Sequence, residues 1–193
     1  MENSVVEYRW NQDDDALDEE AALVTAAQED LRAAGQLYDL YYERIFRYIY
    51  HSTLNVTLTE DLTANTFLSA LQNLKRYRWQ RVPLAAWLYR IATNELRMQF
   101  RRQRRGNKTD FELVQQGPED HLVDQETTQQ LYQALLQLKP KYREVIILRY
   151  FEDRTISELS LILERRQGTV KSQLSRGLSQ LQGILMRTGA LPD

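Results

Sequence analysis

The residues in this chain best suited to chemistry are cations and aromatics crowded into one stretch. From Lys75 to Lys108 there are eleven Lys or Arg against the single acid Glu95. Tyr77, Trp79 and Trp87 interleave there with Lys75, Arg76, Arg78 and Arg81. Cationic side chains follow a phosphate backbone while aromatic faces stack on exposed bases, so this mixture suits single-stranded or melted nucleic acid. Arg90, Arg97, Arg101, Arg104 and Lys108 then recur at three-, four- or seven-residue intervals, which lines them along one helix face. The bland arrangement of the same residues is a core containing Tyr77 and Trp87 beneath a solvated basic face. Trp87 lies in an apolar stripe and favours the core, whereas Trp79, in a loop before Pro83, fits binding and packing equally.

A second group lies near the C-terminus. Ile156 to Leu163 form a short apolar helix, followed by a tight turn and a second helix starting near Gln167. This is the spacing of a helix-turn-helix, whose second helix enters the major groove and whose first turn can bind phosphate through backbone N–H groups. Gln167, Lys171, Gln173, Ser175 and Arg176 can donate to bases or phosphates, while Val170, Leu174, Leu178 and Leu181 share the inward stripe. An ordinary helical hairpin with a solvated polar face has the same periodicity.

The elements that must position these groups read as helices throughout. Leu37, Leu40, Tyr41, Ile45, Tyr48 and Ile49 form one stripe, and Leu62, Phe67, Leu68, Leu71 and Leu74 a second, with Thr59 as its expected N-cap. A third begins near Pro83 and runs through Trp87, Leu88, Ile91 and Leu96 into the arginines at 101, 102, 104 and 105. Periodicity resumes at Leu131, Leu135 and Leu138, and Pro140 opens a further helix through Val145, Ile147, Leu148 and Phe151. No segment alternates with the period of two that strands require. The expected fold class is all-α: an acidic extension over 1–20, a helical domain over 21–105, a flexible linker over 106–125, a second helical domain over 126–187 and a tail over 188–193.

Bulk composition narrows the function. With 193 residues, 42% of them hydrophobic, the chain can bury a core in one ordinary domain or two small ones. The net charge of −2 conceals an asymmetry: residues 1–30 hold ten acids and one Arg, a sum of −9, and the remainder sums to +7. That positive remainder is the sign expected of a phosphate-binding surface. The acidic extension either folds back on the basic face or stays an inert solvated tail. The absence of cysteine excludes disulfides, thiol catalysis and thiolate-bound zinc, and His51 and His121 stand far apart, so neither a metal nor a cofactor is expected. No apolar run has the length of a membrane span and Met1-Glu2-Asn3 lacks the start of a signal peptide, so the expected location is cytoplasmic.

With these segments in view, the chain resembles the extracytoplasmic-function (ECF) group of sigma-70 family sigma factors. Leu37 to Tyr48, Glu60 to Leu68, and Trp87 to Asn94 with the basic run after it are similar to region 2 of that family. Leu138 to Tyr150 followed by Gly168 to Arg176 are similar to region 4. The resemblance implies an initiation factor that binds core RNA polymerase at its clamp and flap regions, recognises and melts promoter DNA, and is held by an anti-sigma factor. Residues 21–105 would be region 2, gripping polymerase through Asp61, Asn65, Phe67 and Leu68. The minus-10 surface would be Arg76, Arg78, Trp79, Arg81, Arg90, Asn94, Arg97 and Arg101. Residues 126–187 would be region 4, reading the minus-35 element through Arg165, Arg166, Thr169, Lys171, Ser172, Ser175 and Arg176. Two departures stand out: Ala64-Asn65 replaces the family's Gln-Glu, and Leu163-Glu164-Arg165-Arg166 replaces its Leu-Gly-Ile-Ser turn.

Other functional classes remain to be separated from this one. A sigma-mimicking decoy that sequesters an anti-sigma factor has no need of Arg101, Arg102, Arg104 and Arg105. A stand-alone helix-turn-helix repressor would bind an operator without polymerase. An enzyme has the least support, because Gly-rich phosphate loops, a nucleophile paired with a base and metal-ligand spacings are all missing.

Overall fold

A computed structural model describes residues 14–79, 82–105 and 125–190, and every regular element among them is an α-helix. In chain order these are α1 (Asp14–Glu29), α2 (Leu31–Thr53), α3 (Val56–Leu74), α4 (Leu84–Arg105), α5 (Gln125–Gln137), α6 (Pro140–Tyr150), α7 (Ile156–Leu163) and α8 (Gln167–Arg187). The boundaries follow local chemistry. Asp30 separates α1 from α2 and caps the latter, accepting from the Arg32 N–H at 2.9 Å. Asn55, rather than the expected Thr59, caps α3 through the Leu58 N–H. Thr59 lies one turn inside, fully buried, with its hydroxyl on the Asn55 carbonyl and against the Thr53 hydroxyl. Pro140 occupies the first turn of α6, where its missing N–H costs nothing.

The first four helices form one group. In α2 the buried stripe is Leu37, Tyr41, Ile45, Tyr48 and Ile49, but Leu40 is exposed. In α3 Leu62, Phe67 and Leu74 are buried while Leu68 and Leu71 face out. Their places inside are taken by Thr59, Thr63, Thr66 and Ala70, because α3 packs between α2 and α4 closely enough to favour small residues. Helix α4 contributes Leu84, Leu88, Tyr89, Ala92 and Leu96, and the Tyr48 and Tyr89 rings meet edge to face at 5.3 Å. Helix α1 begins inside the segment expected to be a mobile extension, and Glu20, Val24 and Ala27 are buried against its neighbours. Residues 1–13 of that extension, and the expected linker except Gln125, lie outside the described residues.

The second group is built around α6. Tyr142 to Leu148 are buried without interruption, since α6 is covered by α2, α7 and α8. The turn from α7 to α8 is tight. Thr155 and Glu158 form a reciprocal capping box at the start of α7, and Glu164 ends it in the left-handed conformation at φ 54°. Glycine takes that conformation without penalty, whereas a side chain there costs about 1–2 kcal/mol.

The two groups pack directly on each other, and their apolar cores are continuous. This is the feature the sequence did not announce. Arg143 crosses the seam, donating to the Ser52 carbonyl at the end of α2 and to the Leu136 and Leu138 carbonyls at the end of α5. One side chain thus satisfies carbonyls that two helix ends leave open. Removing the Thr155 hydroxyl (Thr155→Ala) is expected to destabilise the fold by about 1 kcal/mol, measured as a lower denaturation midpoint with unchanged helicity.

Candidate nucleic-acid interface

Helix α4 presents Arg90, Asn94, Arg97 and Arg101 along one face, as the spacing predicts. The cations differ in what surrounds them. Arg101 and Arg102 are exposed, with the Arg101 Nε donating back to the Arg97 carbonyl at 3.3 Å. Arg90 and Arg97 instead reach across the seam. Arg90 donates to Glu164 at 2.6 Å, and Arg97 donates to Glu144 at 3.0 Å and contacts Asn94 at 3.4 Å. In the loop before α4, Arg76 and Arg78 are exposed. Trp79 is half-buried against the core, and Arg81 lies outside the described residues. Trp87 is half-buried rather than enclosed, its ring 4.6 Å from that of Tyr77. Burial, reinforced by nearby Glu20 and opposed by Arg90, pushes the Tyr77 hydroxyl up to about 12.

On the second group, the N-cap Arg166 and, on α8, Thr169, Lys171, Ser172, Ser175 and Arg176 turn outward, and all six are exposed. Val170 and Leu181 point inward and are buried, with Leu174 and Leu178 half-buried beside them. Arg165 is separate from this face. It pairs with Glu144 at 2.6 Å and donates to Gln173 at 2.8 Å. Glu144, 7% exposed, therefore sits between Arg97 of α4 and Arg165 of the turn. Of the residues expected to contact polymerase, Asp61, Asn65 and Leu68 are exposed on α3. Phe67 instead lies beneath that face, 6% exposed, its ring tilted against Tyr38 at 4.7 Å and stacked on Tyr42 at 6.2 Å, because its place on α3 faces α2.

The atypical turn acquires a physical account from these contacts. Glu164 occupies a left-handed position that glycine would hold more cheaply, and its carboxylate is the group that meets Arg90. Arg165 stands where the resemblance leads one to expect an apolar plug, and its guanidinium meets Glu144. Both departures place charge at the junction between α4 and the helix-turn-helix. Nothing in the one-dimensional pattern marks Glu144 as a partner, since an acid within an apolar helix reads as an exposed edge.

Sequence reasoning missed the most enclosed charge altogether. Glu152, in the loop after α6, is 2% exposed and enters the groove between α2 and α4. It accepts from the Tyr89 hydroxyl at 2.7 Å and from Arg47 at 3.3 and 3.4 Å. His51 Nδ1 lies 3.7 Å from its other side, at ion-pair rather than hydrogen-bond distance. Burial alone raises a carboxyl pKa, but His51, Arg47 and Tyr89 together outweigh it and hold Glu152 below its ordinary value. An acid beside Asp153 and Arg154 in the connection between α6 and α7 looks solvated in sequence, so no signal was available for its burial. Among the described residues there is no cluster able to hold a metal ion and no helix long and apolar enough to cross a membrane.

Comparison with known proteins adds to this geometry. The protein-family model described as Sigma-70 region 2 matches residues 37–106, and that described as Sigma-70, region 4 matches residues 128–181. The ECF RNA polymerase sigma factor SigW of Bacillus subtilis is 31% identical over 167 residues, covering 79% of this chain and 89% of that protein. The ECF RNA polymerase sigma factor BldN of Streptomyces coelicolor is 30% identical over 170 residues, covering 84% of this chain. This alignment spans 64% of BldN's length. In fold, the sigma factor RpoE of Bartonella quintana, solved with the anti-sigma factor NepR, is similar with a TM-score of 0.66 at 24% identity, covering 78% of this chain and 95% of that one. CnrH, solved with the cytosolic domain of CnrY, gives 0.64 at 24% identity, covering 86% and 96%.

Replacing Glu152 with Gln tests the buried hub. Glu152→Gln keeps the shape but removes the charge that Arg47 and Tyr89 address, and is expected to cost about 1–3 kcal/mol, read by chemical denaturation. Because the folded carboxyl is held below its ordinary 4.5, its contribution is fully present above that value and is lost as pH falls through the lower folded one. Wild-type stability should therefore drop more steeply than that of Glu152→Gln across this acid window.

Proposed function

The chain belongs to the ECF sigma factors of the sigma-70 family, and from that premise we propose that it binds core RNA polymerase in the cytoplasm and directs promoter recognition, melting and transcription initiation. It makes and breaks no covalent bond itself. The observation that carries the reading is the order of two surfaces on one chain: a basic α4 with an aromatic-bearing loop before it, then a helix-turn-helix whose second helix and its N-cap turn six polar or cationic residues outward.

In this reading region 4 docks α8 in the major groove at the minus-35 element through Arg166, Thr169, Lys171, Ser172, Ser175 and Arg176, with Arg165 at the edge. Region 2 holds the melted minus-10 strand with Arg76, Arg78, Trp79, Arg81, Arg90, Asn94, Arg97 and Arg101. Polymerase is gripped by the exposed α3 face, Asp61, Asn65 and Leu68, with Phe67 supporting it from beneath. An anti-sigma factor is the proposed inhibitor, in keeping with the family and with the complex in which RpoE was solved.

The pairing of Arg90 with Glu164 and of Arg97 and Arg165 with Glu144 supports a further step. A phosphate approaching these guanidiniums competes with carboxylates already in place, so promoter binding requires the two helical groups to separate. The packed arrangement then corresponds to a closed form, and polymerase or DNA would select the open one.

Run-off transcription with core polymerase on fragmented genomic template tests the central reading. Promoter-dependent transcripts are expected, and their absence on every fragment would defeat it. In a mobility-shift assay of the same holoenzyme the variant Glu164→Gln is expected to bind duplex promoter several-fold more tightly at low salt, since its mostly exposed pair with Arg90 contributes about 0–1 kcal/mol. The gain should shrink as salt rises.

A further inference from the structure

Helix α1 holds the connection between α3 and α4 from both ends. Gln28 Nε2 donates to the Leu74 carbonyl at 3.0 Å and to the Tyr77 carbonyl at 2.8 Å. Leu74 is the last residue of α3, so this amide occupies carbonyls that the helix end leaves open. At the far end, the Glu20 carboxylate accepts from the backbone N–H of Leu84, the first residue of α4, at 3.1 Å. The Tyr41 hydroxyl donates to the same oxygen and fixes it in place. A carboxylate at this position also opposes the positive end of the α4 dipole. Glu20 and Gln28 are eight residues apart, about 12 Å along the helix axis, and each meets one end of the connection.

The residues between those two anchors include Arg78, exposed, and Trp79, half-buried, with the Tyr77 ring against Trp87. A loop that must stack a base loses less conformational entropy on binding when its ends are already fixed. Neither partner is close in sequence: Gln28 is 46 and 49 residues from its carbonyls, and Glu20 is 64 residues from Leu84.

We infer that α1 is a positioning element for the minus-10 surface, with Gln28 and Glu20 setting the two ends of the α3–α4 connection so that Arg78 and Trp79 meet the melted strand in a fixed geometry. The inference rests on the proposed function and adds two residues outside both family matches. Gln28 and Glu20 act through the backbone of the loop and need not touch DNA.

The experiment uses the full chain assembled with core polymerase. The probe is a fork-junction DNA taken from the strongest promoter recovered by run-off transcription, with 2-aminopurine in its single-stranded minus-10 segment. Gln28→Met keeps the length of the side chain but removes both donors; Gln28→Lys returns a donor. Glu20→Leu removes the acceptor; Glu20→Gln keeps it. Gln28→Met and Glu20→Leu are expected to weaken fork binding about tenfold, the scale of one lost base stack, and to blunt the 2-aminopurine signal. Gln28→Lys and Glu20→Gln should restore both. Assembly with polymerase and binding of a minus-35 duplex should not change. Wild-type fork binding by Gln28→Met and Glu20→Leu would overturn the inference while leaving the function intact. Equal losses in fork, duplex and polymerase binding would overturn it too, marking the contacts as general support of the fold. Failure of the wild-type holoenzyme to bind the fork would instead remove the functional reading and the inference with it.

Discussion

The seam between the two helical groups is organised by one buried carboxylate. Glu152 leaves water entirely, and an isolated charge in that position would be strongly disfavoured. It is tolerated because Arg47 and His51 come from α2, Tyr89 from α4, and all three converge on the same two oxygens. The geometry needs α2 and α4 to be held at a fixed spacing, which the Tyr48–Tyr89 contact and the Tyr48–Thr93 hydroxyl bond supply. It also needs the loop after α6 to be rigid, and that loop is fixed by backbone bonds from Glu152 and Arg154 to the α6 carbonyls. Once Glu152 is seated, α7 lies against α4 and the helix-turn-helix is fixed relative to the basic face.

Around that hub the charges divide by burial. Enclosed groups such as Glu152 and Glu144 are tied to partners from other elements, and losing a partner there strands a desolvated charge. The Arg90–Glu164 pair is mostly exposed and contributes little to stability. Its interest is positional, because it joins a left-handed turn residue to the cation nearest the loop before α4. A sequence that spends backbone strain at Glu164 and forgoes an apolar plug at Arg165 has used both positions to place charge between the two groups. The same cations that suit a phosphate backbone are thereby held in contact with carboxylates of the opposite group.

Much of the architecture was readable along the chain. The stripes of α2, α4 and α8 fall where periodicity places them, since a helix that buries one face repeats its apolar residues at three- or four-residue spacing. The proline opening α6 and the capping pair Thr155 and Glu158 mark starts that local chemistry alone dictates. The limits of that reading are equally specific. Leu40, Leu68 and Leu71 carry apolar side chains at plausible phase yet face outward, because the width of a stripe depends on what packs against it. Thr59 looked like a cap and is core, since Asn55 reaches the open N–H groups first.

What the sequence determined by itself is the set of helices from α2 onward, their two groupings, and the cationic and aromatic character of the segments before and within α4 and on α8. These depend on neighbours a few residues apart, which a linear pattern records. Tertiary structure alone decided which cations are open and which are paired, that Glu20 and Glu152 are buried, and that α1 fastens both ends of the α3–α4 connection. Those outcomes rest on groups brought together from as few as 21 to as many as 105 residues apart. A carboxylate's solvation is set by everything that surrounds it in space, and no local spacing rule carries that information.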